Sequence, residues 1–351
     1  MHTRDGFVVS VVLDPAAEAA GLSVVAAATL ARPPAGFGSV VAAAEDAFTL
    51  MAAGFGPDAV VVVVPPAVHV AGPIVIVHQL GSRARPAAVF PRTFVSLGEG
   101  ATASVVEQLV SDTGTALVCP VAELELAADA HLAYHSLQEL DRSAWQLGYV
   151  ASRIERDGSL RSFSAALGGD YARLCTYSAL VGEAASSELL AAYLGDGTQV
   201  QDMRTFQEHA APRTQSNLVF MGAVDDSARS VYSGLIRIRK GARKSNAAQT
   251  NRNLVLSDGA HADSVPNLDI EENDVRCSHA SAVGPIDRAQ RFYVESRGVP
   301  PHVAEKLILL GFFDDLLGRA PEPGVAQYLR GVVAGRLSGG DRGAAAGKGT
   351  R

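Results

Sequence analysis

The sequence predicts a mainly β protein with an α-helical C-terminal region. From about Ala59 onward, short runs of Val, Leu, Ile and Thr follow one another, and a small or acidic turn closes each run. Hardly any segment between these turns has the length and the 3.6-residue periodicity of a helix, so the rhythm indicates strands. After Pro285 the pattern changes, because apolar residues recur at helical spacing in three successive stretches.

The N-terminal segment, residues 1–58, is predicted to be a cap of mixed structure. Its alanine-rich stretches are interrupted at Pro33–Gly36. From Gly38 to Gly54, apolar residues recur every three or four positions, which predicts a short amphipathic helix.

Residues 59–285 are predicted to form the β core. Its turns recur as a small residue with Gly or an acid, often followed by Ala, as in Gly98–Ala101 and Gly182–Ala184. This quasi-repeat favours a solenoid of stacked coils. The main candidates for tight hairpin turns are Asp157–Gly158 and Asp258–Gly259. An antiparallel sandwich also has closely spaced strands, so the pattern alone leaves both architectures open.

The predicted helical region covers residues 286–338. Gly298 is a typical stop for its first helix, and Pro301 is a typical start for its second. Three helices are predicted, over Ile286–Arg297, His302–Leu317 and Pro323–Leu337. The Gly-, Ala- and Arg-rich tail, residues 339–351, is expected to be disordered.

Composition excludes several functional classes. Of 351 residues, 48% are hydrophobic and 19% charged, which is typical of a folded globular protein. The formal net charge of −7 argues against a nucleic-acid partner, because phosphate binding needs a basic surface. No apolar run reaches the roughly 20 residues of a membrane helix, and no signal peptide is evident. One basic cluster is interpreted as a solvated strand edge or a protein contact: Arg237, Arg239, Lys240, Arg243 and Lys244.

The three cysteines, Cys119, Cys175 and Cys277, are scattered and form no CxxC pair, so neither a disulfide framework nor a closed zinc site is indicated. Reduced thiols in the cytoplasm fit best. Trp145, the single tryptophan, is expected in the core. The loops that usually bind ATP or dinucleotides are missing from the sequence, as is the nucleophile elbow of hydrolases.

The sharpest local feature is Cys277-Ser278-His279. On a strand, alternate side chains share a face, so Cys277 and His279 project together. A thiol beside an imidazole can bind a soft metal, or can serve as nucleophile and base of a cysteine enzyme. A buried cysteine next to a surface histidine is the simpler alternative. His131 and His135 also share a strand face, but they lack a third ligand.

The same part of the chain resembles the SufB/SufD family of iron–sulfur cluster assembly proteins. Two segments carry the resemblance, Asn267–Asp287 (NLDIEENDVRCSHASAVGPID) and Gln290–Val299 (QRFYVESRGV). It is strong over residues 201–317 and fainter upstream. The resemblance implies a right-handed parallel β-helix core with helical segments on both sides.

The resemblance also implies partners. In this family SufB and SufD form a heterodimer through their β-helix cores, and the ATPase SufC docks on the C-terminal helices. A transient cluster, assembled with a sulfur donor system, would be shared with SufB, and His279, with Cys277 as a second candidate, would be this chain's metal ligand. Helix residues expected to dock a partner are Phe292, Tyr293, Arg297, Leu307, Leu310 and Phe313.

Two departures indicate the SufD branch of the family. SufB carries a cysteine where this chain reads Gln249–Leu256, and a His-Glu pair where it reads Cys277–Ala280. The expected role is therefore a scaffold subunit without catalytic activity of its own, in which any ATPase activity belongs to SufC. The alternatives are a SufB-like or homodimeric scaffold and, more remotely, a β-helical carbohydrate-active enzyme, for which an acidic calcium site and a secretion signal would be expected.

Overall fold

Two long sheets face each other in the computed structural model, which describes residues 1–41, 46–81 and 86–339. From Val60 onward the chain passes back and forth between the two sheets, and along each main path neighbouring strands are parallel. The result is a parallel β-solenoid of about eight turns, followed by C-terminal helices. The predicted mainly β class is confirmed, and the antiparallel sandwich is excluded.

The first sheet, sheet A, has ten strands. In spatial order these are β2 (Phe7–Ser10), β1 (His2–Arg4), β5 (Ile74–Leu80), β8 (Thr102–Ser111), β11 (His131–Glu139), β13 (Ser159–Ala166), β15 (Ser186–Gly195), β17 (Gln215–Val224), β19 (Asn246–Val255) and β21 (Arg276–Gly284). Within it, β1 and β2 are the antiparallel pair.

The second sheet, sheet B, lies opposite. Its main path comprises β3 (Ser23–Ala26), β4 (Val60–Val64), β7 (Arg92–Leu97), β10 (Val121–Leu126), β12 (Ala144–Ile154), β14 (Tyr171–Leu180), β16 (Val200–His209), β18 (Arg229–Ile238) and β20 (His261–Ile270). Two short strands, β6 (Ala87–Val89) and β9 (Ala116–Val118), extend it beside β12. Strand β3 joins the sheet antiparallel to β4.

The repeat length follows from the register. His131 pairs with Ser159, and Ser159 with Ser186, so these coils take 28 and then 27 residues. One corner of each coil contains a residue with left-handed backbone, and its N–H donates to a carbonyl of the next coil, as from Asp157 to Glu183 over 2.9 Å. The residues stacked at this corner are Ala67, Gly100, Asp129, Asp157, Ala184, Arg213 and Lys244.

This stacked corner explains the turn motif seen in the sequence. A left-handed backbone conformation is unusual at residues other than glycine, and Asp tolerates this conformation better than most residues do. The residue that follows must turn into the core, where space is small, and Ala130 and Ala185 there are completely buried. The small-residue turns are therefore corners of coils and not hairpins.

Helices lie at the N-terminal end and on sheet A. The N-terminal ones are α1 (Pro15–Ala19), a 3-10 turn at Ala27–Thr29, and α2 (Ala47–Phe55). The helix predicted from Gly38 starts later than expected, because the Asp46 side chain caps the N–H groups of Phe48 and Thr49. Residues 42–45 of that prediction lie outside the described residues. Helix α2 packs on the outer face of sheet B.

Three C-terminal helices were predicted, and three are present: α3 (Arg288–Glu295), α4 (Pro301–Leu317) and α5 (Pro323–Gly339). Helices α4 and α5 cover the outer face of sheet A, where Phe163, Leu190 and Met221 point away from the solenoid interior. From the helices, the residues buried against this face are Leu309, Phe313, Leu316, Leu317, Val325, Leu329 and Val333. At about 25 cal/mol per Å² of apolar surface, such burial fixes the helices firmly to the sheet.

Two further expectations can be compared with the structure. Trp145 is not in the core: its side chain is 51% exposed, and its Nε1 donates to Asp170 over 3.0 Å. The predicted disordered tail lies, beyond Gly339, outside the described residues. Among the helices of the described chain, none is both long and apolar enough to cross a membrane.

Candidate functional site: the open end of the solenoid

The solenoid ends at β20 and β21, which are the last strands of the two sheets. β20 pairs with β18 and β21 with β19, and within the described ranges no strand pairs with their other edges. Each therefore presents a row of free backbone N–H and C=O groups, which readily pairs with a strand from another chain. The inward side chains of both strands have no coil above them.

Cys277 and His279 lie on the inward face of β21. Cys277 is the register partner of Ala247, and both pack against Ile236 and Ile238 of the opposite sheet. His279 is the register partner of Gln249, which is also buried inside. The sequence-based expectation that Cys277 and His279 share a face is correct, and the face is the interior side of the open end.

The two side chains differ in accessibility. His279 is exposed, whereas Cys277 is half-buried. Burial raises the pKa of the Cys277 thiol, which favours the protonated form over the thiolate that iron binds. His279 is thus the more accessible of the two candidate ligands. The described residues contain no group of three or more His, Cys, Asp or Glu side chains placed to hold a metal ion, so Cys277 and His279 could form at most part of a metal site.

Buried polar groups lie beneath His279. Gln249 is 1% exposed, yet neither its Nε2 nor its Oε1 has a hydrogen-bond partner, and the Oγ of Ser264 on β20 is also unpartnered. A second group is fully connected: Tyr193 donates to Asn253 Oδ1 over 2.7 Å and accepts from Asn251 over 2.9 Å. The interior next to the open end is therefore polar.

Apolar side chains are also left uncovered at this end. Val265 and Ile270 on β20 and Val283 on β21 are all exposed. Exposed apolar groups beside free strand edges are typical of surfaces that bind another protein. The open end thus combines unpaired backbone, apolar contact area and an accessible imidazole.

The helix residues expected to dock a partner fall into two groups. Phe292 and Tyr293 on α3 are 72% and 60% exposed, and Leu307 on α4 is 51% exposed. The guanidinium of Arg297 lies 3.6 Å from the Tyr293 ring centroid, which is a cation–π contact. In contrast, Phe313 is 1% exposed because it packs on sheet A.

Leu310 lies between these groups, since it is half-buried at the margin of the same helix–sheet cluster. The apolar residues of α4 are thus explained largely by packing within this chain. The exposed large apolar side chains of α3 and α4 are Phe292, Tyr293 and Leu307.

Two other sequence features have structural explanations. His131 and His135 do share the outer face of β11, but His131 is exposed and His135 is fully buried, and burial lowers the pKa of His135 to about 4. In the basic cluster, Arg237 pairs with Asp269 over 2.7 Å and Arg239 with Glu208 over 2.6 Å. These arginines thus serve as links between neighbouring coils.

Sequence reasoning missed a buried ionic cluster in the first coils. The Oε1 of Glu107 accepts from Thr93 over 2.6 Å and lies 2.7 Å from His78 Nε2, and Tyr134 donates to the other carboxylate oxygen. Although burial opposes it, this contact set holds the pKa of Glu107 below its usual range. The signal was present, because Ala103, Val105, Glu107 and Leu109 alternate on one strand face.

Comparison with known proteins is consistent with this architecture. The family model described as "SUF system FeS cluster assembly, SufBD core domain" matches residues 79–312. The iron–sulfur cluster assembly protein SufD of Escherichia coli is 31% identical over 257 residues, which are 72% of this chain and 60% of that protein. SufD of Bacillus subtilis is 30% identical over 278 residues, 77% of this chain and 62% of that protein.

An iron–sulfur cluster assembly SufBD family protein of Mycobacterium tuberculosis is 37% identical over 194 residues. That match covers 53% of this chain and 49% of the mycobacterial protein. The chain thus spans about half the length of this mycobacterial relative.

Proposed function

Since this chain belongs to the SufB/SufD family and is SufD-like, we propose that it is a non-catalytic scaffold subunit of a SufB–SufC–SufD complex for iron–sulfur cluster assembly and transfer. One observation carries the proposal: within the described residues the solenoid ends in two strands, β20 and β21, that are each paired along one edge only, and His279 is exposed on the inward face of β21. A solenoid whose last strands leave backbone groups and inward side chains uncovered can be completed by a partner of the same architecture.

The partner proposed for the open end is a SufB-type subunit. Strand addition at β20 and β21 would satisfy the free backbone groups, and it would cover Val265, Ile270 and Val283. The cluster is cargo of this interface rather than a resident cofactor. His279, with Cys277 as a weaker candidate, supplies this chain's ligands, and the missing thiolate comes from SufB, because iron–sulfur clusters are held mainly by cysteine thiolates.

A SufC-type ATPase is proposed to dock on the exposed side of α3 and the start of α4, through Phe292, Tyr293 and Leu307. These large apolar groups lie outside the contacts that hold α4 and α5 on sheet A. ATP hydrolysis would then belong to the docked subunit, and a sulfur donor system would act on the assembled complex. Cys119, Cys175 and Cys277 are all free, which fits work in a reducing cytoplasm.

The role of His279 is tested by reconstitution with SufB and SufC and transfer of the cluster to an apo-protein. We expect His279→Ala to reduce cluster transfer severely. His261→Ala is the matched control, because His261 is an exposed histidine on β20, the last strand of the opposite sheet, and is hydrogen-bonded to Asp263. Equal maturation by wild type and His279→Ala would refute the proposed ligand.

The partners are tested by mass measurement in solution. Mixing with SufB should give a heterodimer that Val283→Asp weakens, whereas a stable complex of the chain only with itself would favour a homodimeric scaffold. For SufC, Phe292→Asp should weaken binding. Phe55→Asp on α2 should not, although Phe55 is 67% exposed; equal effects of the two variants would refute docking on α3.

A further inference from the structure

Gln249 combines complete burial with a lack of partners, which is unusual inside a protein. Both polar atoms of its side-chain amide are unsatisfied, at 1% exposure. Unpaired buried polar groups are unfavourable, so a native structure that keeps one calls for an explanation. The position of Gln249, one strand below the open end, suggests what that explanation is.

The amide of Gln249 crosses the core instead of lying along its own strand. Its Nε2 occupies the space that a Cβ on Gly234 of the opposite sheet would need, and the hydroxyl of Tyr232 lies against the same point. Gly234 thus provides the room in which the amide sits. This places a group with both donor and acceptor capacity at the floor of the open end.

His279 lies directly above this floor. Gln249 and His279 are register partners in the parallel pairing of β19 and β21, and neighbouring strands are about 4.8 Å apart. Both residues lie on the inward faces of their strands. The exposed imidazole forms no hydrogen bond or ion pair with the residues that the structure describes, so no partner in that part of the chain competes with the unsatisfied Gln249 amide for it.

We propose that Gln249 is a positioning residue for His279: when the imidazole turns toward the interior, its ring N–H donates to Oε1 of Gln249. This inference rests on the proposed function, because it specifies how the ligand histidine is held. A histidine that binds a metal through one ring nitrogen is normally fixed by a hydrogen bond from the other, which sets its tautomer and orientation. Gln249 supplies that acceptor from within the core.

Gln207 offers a matched control for the alternative that Gln249 merely fills space. It is a fully buried glutamine inside the same solenoid, and both of its amide atoms are unpartnered. Its strand, β16, pairs with β14 and β18 and with neither strand of the open end. Gln207 therefore shares the chemistry and burial of Gln249 but not its neighbour.

The test measures the tautomer ratio of the His279 ring by NMR in the isolated full chain with labelled histidine, assigned with His279→Ala. In the wild type we expect a ratio that differs about fivefold from that of the exposed His302, which is what a net hydrogen bond of ordinary strength produces. Gln249→Leu should abolish the difference, Gln249→Glu should retain it because the acceptor remains, and Gln207→Leu should have no effect.

A second variant keeps the test decisive if Gln249→Leu fails to fold. Gly234→Ala keeps the glutamine but fills the space of its amide, so it should also move the His279 tautomer ratio toward that of His302. In the reconstituted complex, Gln249→Leu should slow cluster transfer about tenfold, as loss of an outer-shell partner does, and Gln249→Glu should restore it.

These outcomes separate the two proposals. If His279→Ala blocks cluster transfer but Gln249→Leu and Gly234→Ala leave the tautomer ratio unchanged, the positioning role is refuted and the proposed function stands. If the tautomer ratio responds to both variants while His279→Ala transfers clusters normally, the contact exists but the assigned function of His279 is wrong. Equal tautomer shifts in Gln249→Leu and Gln207→Leu would also refute the positioning role.

Discussion

Between the two sheets, the first coils of the solenoid bury mainly aliphatic side chains around the single Glu107 cluster, whereas the last coils bury amides, hydroxyls and an imidazole at many inward positions. In the first coils, β4 to β11, the interior is filled by residues such as Val62, Ile76 and Leu124. In the last coils, β16 to β21, comparable inward positions hold Gln201, Gln207, His209, Ser216, Ser230, Gln249, Asn251 and Asn253. The same coil geometry thus accommodates two chemically different cores.

The two sets of coils also differ in whether their buried polar groups have hydrogen-bond partners. The Glu107 cluster of the first coils is completely satisfied, by His78, Thr93 and Tyr134. In the last coils, Gln201, Gln207 and Gln249 each retain unpartnered buried atoms. Since satisfied polar networks specify a rigid core and unsatisfied ones weaken it, the first coils are suited to stability. The last coils give up stability next to the surface proposed to bind a partner.

The largest effect is expected from breaking the satisfied cluster. Glu107→Ala leaves His78 and the Tyr134 hydroxyl buried without their partner, which should lower the free energy of unfolding by about 3–5 kcal/mol. Urea denaturation measures this change. The control is Glu155→Ala, since Glu155 forms an exposed ion pair with Arg153 at 2.8 Å, and such pairs are worth at most about 1 kcal/mol. A loss at Glu107 no larger than at Glu155 would contradict a stabilising role for the cluster.

The second prediction concerns acid stability of the last coils. Burial lowers the pKa of His209 to about 4, while an unfolded histidine has a pKa of about 6.5. The unfolded chain therefore takes up a proton first, so this group makes the protein lose stability as pH falls from about 6.5 to about 4. The slope contributed by one such group is at most about 1.4 kcal/mol per pH unit.

His209→Gln should reduce that slope, as measured by urea denaturation at several pH values within this window. His135 contributes a similar loss from the outer face of sheet A, so the slope should shrink without vanishing. His261→Gln, a change on the surface, should leave it unaltered. An identical slope in His209→Gln and wild type would mean that the imidazole is not held neutral in the core.

The third prediction tests how tightly side chains are packed near the start of the last coils, at β17. Gly222 on β17 faces inward, and the ring of Tyr193 occupies the space of its missing Cβ. Gly222→Ala should therefore overpack the core and destabilise the protein by about 1–3 kcal/mol. Gly284→Ala on β21 is the control, because no atom lies within 4 Å of its Cβ position, and we expect a change within about 0.5 kcal/mol.

Much of the fold followed from local pattern. Alternation and turn spacing predicted strands, and the C-terminal helices were located to within a few residues. The choice between a solenoid and a sandwich could not be made from the local sequence pattern, because it depends on strand pairing between residues such as His131 and Ser159, which are 28 positions apart. The quasi-repeat of turns favoured a solenoid, and the family resemblance implied it.

The site was predicted in part. Alternation correctly placed Cys277 and His279 on one face, but whether that face is buried depends on whether a further coil covers it, which local sequence does not encode. Phe313 was expected to dock a partner. The evidence that Phe313 is instead buried within the chain lay in other segments of the sequence. Outward positions of β13 and β15, such as Phe163 and Leu190, are apolar, so another element must pack on them.

The smallest effect should come from removing an unsatisfied group of the last coils. Gln207 is fully buried with neither amide atom paired, so Gln207→Met replaces a desolvated amide by an apolar chain of similar volume. We expect the free energy of unfolding to stay constant or rise by about 1 kcal/mol. Asn251→Leu is the contrast, because Asn251 bonds Tyr193 and the Phe220 carbonyl and should cost about 1–3 kcal/mol. If Gln207→Met were as destabilising as Asn251→Leu, ordered water would have to satisfy the amide, and the last coils would hold a hydrated core that is as well connected as the first.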